Sequence, residues 1–121
     1  MRMNQTKEDP FDLLCYDFDG VMTDNRVYVA QDGRETVAVN RSDGLAVAAL
    51  RQACVTQIIM STEVNPVVSA RASKLNIPAL QGLDDKAEAL QAYIFETGID
   101  LARTAFIGND LNDLSVMLLV G

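Results

Sequence analysis

The chain has 121 residues, 49% of them apolar, with 17 acidic against 10 basic side chains and a net charge of -7. That length suits one domain burying roughly two thirds of its unfolded surface, and the acidic balance argues against a nucleic-acid or anionic-membrane partner, which would need a basic face. No apolar run approaches the roughly 18 residues of a spanning helix, Met1 to Pro10 is polar and lacks a signal-peptide core, and with no His and no CxxC pair zinc is not expected. A cytoplasmic location follows as the expectation.

Phe11 to Phe18 is a short apolar run bounded by turn residues, the pattern of a buried parallel strand. It stops at two carboxylates one residue apart, Asp17 and Asp19, with Gly20 to let the chain turn away. Within a strand the two acids share a face, and the carboxyl edge of an open α/β sheet is where ligands bind. Cys15 in this strand and Cys54 at the end of a helix pattern read as small core residues and not as a disulfide.

Arg26 to Ala30 and Glu35 to Val39 alternate around Gln31-Asp32-Gly33-Arg34, a β-hairpin inserted before the first helix. Two strands alone are marginal in water, so this flap is expected to pack on another subunit or on its own domain. Ser42 or Asp43 caps a helix carrying Leu45, Ala46, Ala49 and Leu50, and Val55 to Met60 is the second parallel strand. Ser61, Thr62 and Glu63 follow, then Asn65 as N-cap and Pro66 as first residue of a helix reaching Leu75. Hydroxyls between a strand end and a helix start suit phosphate, although Ser61 reads equally well as a plain cap or turn residue.

Ile77 to Leu80 makes a short third strand and Lys86 to about Glu96 the next helix. Lys86 sits in the first turn, where a cation opposes the helix dipole and asks for a nearby anion; the alternative is an ordinary surface lysine. Thr104 to Ile107 is the fourth strand, ending in Gly108-Asn109-Asp110-Leu111-Asn112-Asp113 before a helix at Leu114 to Leu119. That second acidic cluster either shares a metal with the first or caps the last helix. No repeat, low-complexity tract or linker interrupts the chain, which reads as a single α/β domain over residues 1–121.

The chemistry these acids suit is phosphoryl transfer. Asp17 can attack phosphorus to give an aspartyl-phosphate, and Asp19 can protonate the leaving oxygen and later deprotonate water. A bare carboxylate approaching phosphate is repelled by roughly 4 kcal/mol per charge pair at about 4 Å and an effective dielectric near 20. Mg²⁺ suits the neutralising task, because it is hard and is commonly held by one or two carboxylates plus phosphate and water.

D-x-D-G-x-x-T-D over Asp17 to Asp24 resembles the first motif of the haloacid dehalogenase superfamily of aspartate-nucleophile phosphatases. Three more strand-end loops match its other motifs in order: Ser61, Lys86, and Asn109 to Asp113. The resemblance implies a doubly wound, Rossmannoid parallel sheet. Within the superfamily the chain is similar to the capless branch of 3-deoxy-D-manno-octulosonate 8-phosphate phosphatases, sialic-acid-type 9-phosphate phosphatases and the carboxyl-terminal domain of acylneuraminate cytidylyltransferases. Ser42-Asp43-Gly44, Ala70-Arg71-Ala72, Gln81 to Lys86 and Gly108 to Asp113 carry that likeness.

The likeness implies a homotetramer whose hairpins pack together, with Mg²⁺ held by Asp17, the Asp19 carbonyl and the fourth loop, including Asn109, Asp110 and Asp113. It implies a phosphorylated sugar acid as substrate, bound by Ser61, Thr62, Glu63, Arg71 and Lys74. Glu63 and a Lys eleven positions later look more like the nine-carbon members, whereas octulosonate-type members usually carry Gly-Arg after the hydroxyl. Asn109 stands where the family usually has Asp and would bind Mg²⁺ less tightly unless Asp110 or Asp113 compensates. Family members continue beyond position 121 with a further strand, helices and a glycine-rich tail. A non-catalytic tetramerisation module is the competing expectation. A response-regulator receiver is disfavoured, since Leu80-Gln81 occupies the place of its phosphorylated Asp.

Overall fold

The computed structural model describes residues 12–108 and 120. In chain order the elements are β1 (Leu13–Tyr16), β2 (Tyr28–Val29), β3 (Glu35–Thr36), α1 (Ser42–Gln52), β4 (Thr56–Met60), α2 (Pro66–Leu75), β5 (Ala79–Leu80), α3 (Lys86–Thr97), a 3₁₀ turn (Leu101–Arg103) and β6 (Thr104–Ile107). Four strands form a parallel sheet in the order β5-β4-β1-β6, and β2 pairs antiparallel with β3.

β1 is buried along its whole length because both faces of the sheet are covered. Leu14, Tyr16 and Ile59 pack with Val47 of α1 and Val68, Ala72 and Leu75 of α2. Leu13, Cys15, Ile58 and Met60 meet Leu90 of α3 on the opposite face. Each large apolar side chain so enclosed contributes about 1.5–3 kcal/mol. The sheet is therefore doubly wound, as expected. The chain steps from β1 to β4 to β5, and α3 then carries it back to β6 on the far side of β1. The order reverses between β1 and β6, and a crevice outside the strand ends at such a point is the natural ligand site.

The elements are shorter than their apolar patterns. β1 has four residues where Phe11 to Phe18 was expected, β5 has two where Ile77 to Leu80 was expected, and the hairpin ladder pairs only Tyr28 with Thr36 and Val29 with Glu35. Apolar patterning reports burial, not ladder hydrogen bonds, and Phe18 is wholly buried in the loop beyond β1. The first helix is also entered differently: Ser42 and Asp43 both lie inside α1, whose N-cap position is Arg41 and carries no side-chain cap bond. Asn40 instead accepts from the Ser42 amide (2.9 Å) and hydroxyl (2.7 Å) through Oδ1. For α2, Asn65 accepts from the Val67 amide at 3.0 Å with Pro66 opening the helix, as the sequence suggests. Asn109 to Asp113 and the expected helix at Leu114 to Leu119 lie outside the described residues.

Candidate active site at the β1–β6 switch point

Asp17 follows β1 directly. Its amide donates to the Ile107 carbonyl at 2.9 Å, so the β1–β6 ladder itself fixes where its side chain emerges. Oδ1 accepts from the Phe18 amide at 2.8 Å and from Lys86 Nζ at 3.1 Å. Lys86 opens α3 and its side chain is 1% exposed, against 10% for Asp17. The ammonium also lies 5.6 Å from the centroid of the Phe106 ring on β6. Lys86 is thus a buried partner of the first acid, and the surface-lysine alternative is excluded.

Asp19 lies beyond, half-buried in the turn that Gly20 makes at φ +81°. Thr23 holds this turn by accepting from the Gly20 and Asn25 amides, each at 3.1 Å, which gives the threonine of the D-x-D-G-x-x-T pattern a structural reason. Burial pushes the Asp19 carboxyl up from its ordinary value, the Lys86 ammonium opposes this, and Glu35 of the hairpin adds to it. That shift favours the protonated form, the direction a general acid needs. A narrow cleft of about 40 Å³ opens beside Asp19, bordered by Glu35, Val37, Glu63 and Asn65.

Ser61 follows β4, the neighbour of β1, and is 2% exposed. Its hydroxyl accepts from the Glu63 amide at 3.0 Å, which tightens the turn carrying the exposed Thr62 and Glu63. Gln81, not singled out beforehand as a site residue, clasps that turn by donating to the Asn65 carbonyl at 2.9 Å and the Glu63 carbonyl at 3.3 Å. Its place in Gln81-Gly82, just before the α3 cap, was the available signal. Glu35 and Phe106 left no comparable local mark.

Two candidate residues are not brought to this centre. Arg71 donates through Nη2 to the Asn40 carbonyl at 3.0 Å, tying α2 to the entry of α1, while its buried Nε finds no partner among the described residues. Lys74 is exposed in the last turn of α2, and that helix starts at the carboxyl edge of the sheet and runs away from it. Asn109, Asp110 and Asp113 lie outside the described residues. Among the described residues no three His, Cys, Asp or Glu side chains cluster as a metal site. Asp17 and Asp19 are nonetheless hard oxygen donors at one strand end, the donor type Mg²⁺ takes.

A doubly wound sheet whose switch point presents an aspartate paired with a buried lysine defines a Rossmannoid α/β domain with an acidic site at its carboxyl edge. The chain belongs to the HAD family of hydrolases: it is 52% identical to a HAD family hydrolase from Streptomyces avermitilis, with a TM-score of 0.90 over 97% of this chain and 67% of that one. It is also similar to 3-deoxy-D-manno-octulosonate 8-phosphate phosphatase from Moraxella catarrhalis, solved with magnesium, phosphate and 3-deoxy-D-manno-octulosonate (34% identity, TM-score 0.89, 93% of this chain and 66% of that). A third likeness is to N-acylneuraminate cytidylyltransferase A from Danio rerio, 29% identical over 113 residues, 90% of this chain and 26% of that protein. The chain spans about three fifths of the curated octulosonate phosphatases it matches, 59% to 62% of their length. No family model matches it.

Proposed function

We propose that the chain carries the catalytic core of a Mg²⁺-dependent phosphatase that hydrolyses the phosphomonoester of a 2-keto-3-deoxy sugar acid through an aspartyl-phosphate. The observation that carries this reading is the buried Lys86–Asp17 pair at the sheet's switch point. Asp17 attacks phosphorus while the ester P–O bond breaks, and Asp19 gives its proton to the departing sugar oxygen. Water then attacks the aspartyl-phosphate, Asp19 takes a proton from it, and phosphate leaves with Asp17 regenerated. Lys86 holds the nucleophile in one orientation and offsets phosphate charge, while Ser61 and the amides of its turn accommodate phosphoryl oxygens. Bound Mg²⁺, held by Asp17, the Asp19 carbonyl and Asn109, Asp110 or Asp113, would supply the remaining positive charge against the phosphoryl group.

Substrate choice is assigned to the cleft beside Asp19, where Glu63 can accept hydrogen bonds from sugar hydroxyls. Glu63 together with Lys74 favours a nine-carbon acid over the eight-carbon acid of the Moraxella enzyme, with Lys74 and Arg71 acting from a neighbouring subunit. The exposed hairpin residues Val27, Tyr28 and Val29, 51% to 66% accessible, support hairpin packing in a homotetramer. A cytoplasmic location accords with these roles, and no helix among the described residues is long and apolar enough to cross a membrane.

The deciding experiment is phosphate release from a panel of sugar phosphates, including eight- and nine-carbon 2-keto-3-deoxy acids, with and without Mg²⁺. Turnover is expected to require Mg²⁺ and to disappear in Asp17→Asn, whose fold persists. Phosphate release surviving that substitution rejects the nucleophile assignment. The cytidylyltransferase likeness supports a second reading, a non-catalytic assembly module, which a stable tetramer inert on every substrate would favour.

A further inference from the structure

We infer that Phe106 is a positioning residue whose ring face keeps the Lys86 ammonium on Asp17. Phe106 stands opposite Cys15 in the β1–β6 register and packs on the α3 face of the sheet. Lys86 Nζ therefore has a ring centroid at 5.6 Å and a carboxylate oxygen at 3.1 Å. The placement of this lysine is otherwise unfavourable: the positive end of the α3 dipole repels it, and burial strips water from the charge. An aromatic face attracts a cation electrostatically, more strongly in a dry setting, and carries no net charge to compete with a phosphate. Its hold also does not depend on the charge of Asp17, which changes when that carboxylate becomes an acyl phosphate. At that step the negative charge moves from the carboxylate oxygen to the phosphoryl oxygens, and the ring face gives the ammonium a fixed contact while it does.

The kinetic half of the test rests on the phosphatase reading; the labelling half does not. Phe106→Leu and Phe106→Met keep most of the volume and lose the ring, while Phe106→Tyr keeps it, and each is first checked for a cooperative thermal transition. In the ring-less variants kcat is expected to fall about 3- to 30-fold with KM within about twofold, and Tyr to restore kcat to within about threefold. Competitive labelling with an amine reagent follows Lys86 against exposed Lys74, and the Lys86:Lys74 ratio is expected to rise about 3- to 30-fold in Leu and Met but not in Tyr. Parental kcat in the ring-less variants, an equal loss in Tyr, or a change confined to KM overturns the inference. If the parent chain hydrolyses nothing, the phosphatase reading fails separately, and labelling ratios equal in parent and ring-less variants still overturn the positioning role.

Discussion

Replacing Lys86 with methionine removes one charge and keeps most of the stem. At 3.1 Å the attraction to Asp17 is about 5 kcal/mol at an effective dielectric near 20, most of it offsetting the dehydration of two charges. Taking away the ammonium alone leaves the carboxylate in a dry crevice, and removing one partner of such a pair costs about 3–5 kcal/mol. Unfolding entropy for a chain of this size is about 0.25 kcal/mol/K, so Tm should fall by about 12–20 °C. Removing both charges in Lys86→Met/Asp17→Asn relieves the imbalance and should recover at least about 2 kcal/mol relative to the sum of the single variants. Urea unfolding of parent, both singles and the double in excess chelator reads this directly, since no divalent cation can then substitute for the lysine. If the singles add within about 0.5 kcal/mol, the pair is uncoupled and the electrostatic account of the site fails.

Asp19 offers a pH test: its folded carboxyl titrates above the ordinary 3.8, so the folded state binds that proton more tightly than the unfolded chain does. This contribution is complete below 3.8 and lost as pH rises through the raised value, so in chelator Asp19→Asn should gain stability over the parent across that rise and gain nothing at lower pH. Asn40→Ala removes an exposed acceptor of the Ser42 amide and hydroxyl at the entry of α1 and should cost about 0.5–1 kcal/mol, about 2–4 °C in Tm, without altering the Lys86–Asp17 pair. Cys15 is wholly buried with its thiol pushed up to about 12 by desolvation, whereas Cys54 is half-buried; a thiol reagent should modify Cys54 in the native protein and reach Cys15 only on unfolding.

Much of the scaffold was legible because it is encoded over short distances. An apolar run cut off by Asp17-Phe18-Asp19-Gly20 places a strand end and two acids within a few residues. Asn65-Pro66 specifies a helix start through one side-chain oxygen and one fixed φ. The same local logic erred at Ser42 and Asp43: several adjacent polar residues could cap, yet the helix starts at Ser42 behind Arg41, and Asn40 accepts from Ser42 just outside it.

By itself, then, the sequence determined the main strands and helices among the described residues, that the sheet is parallel and covered on both faces, and that Asp17 and Asp19 lie at a carboxyl edge, since periodicity is a property of neighbouring residues. Only the tertiary structure decided that Lys86 reaches Asp17 across 69 positions, that Phe106 stands behind the ammonium, and that Arg71 is tied to the Asn40 carbonyl while Lys74 is exposed in the last turn of α2. Those meetings depend on strand order, on the return of α3 across the sheet, and on the side each helix occupies. They arise from burying two apolar faces of one sheet at once, a constraint on the whole chain that no short stretch contains.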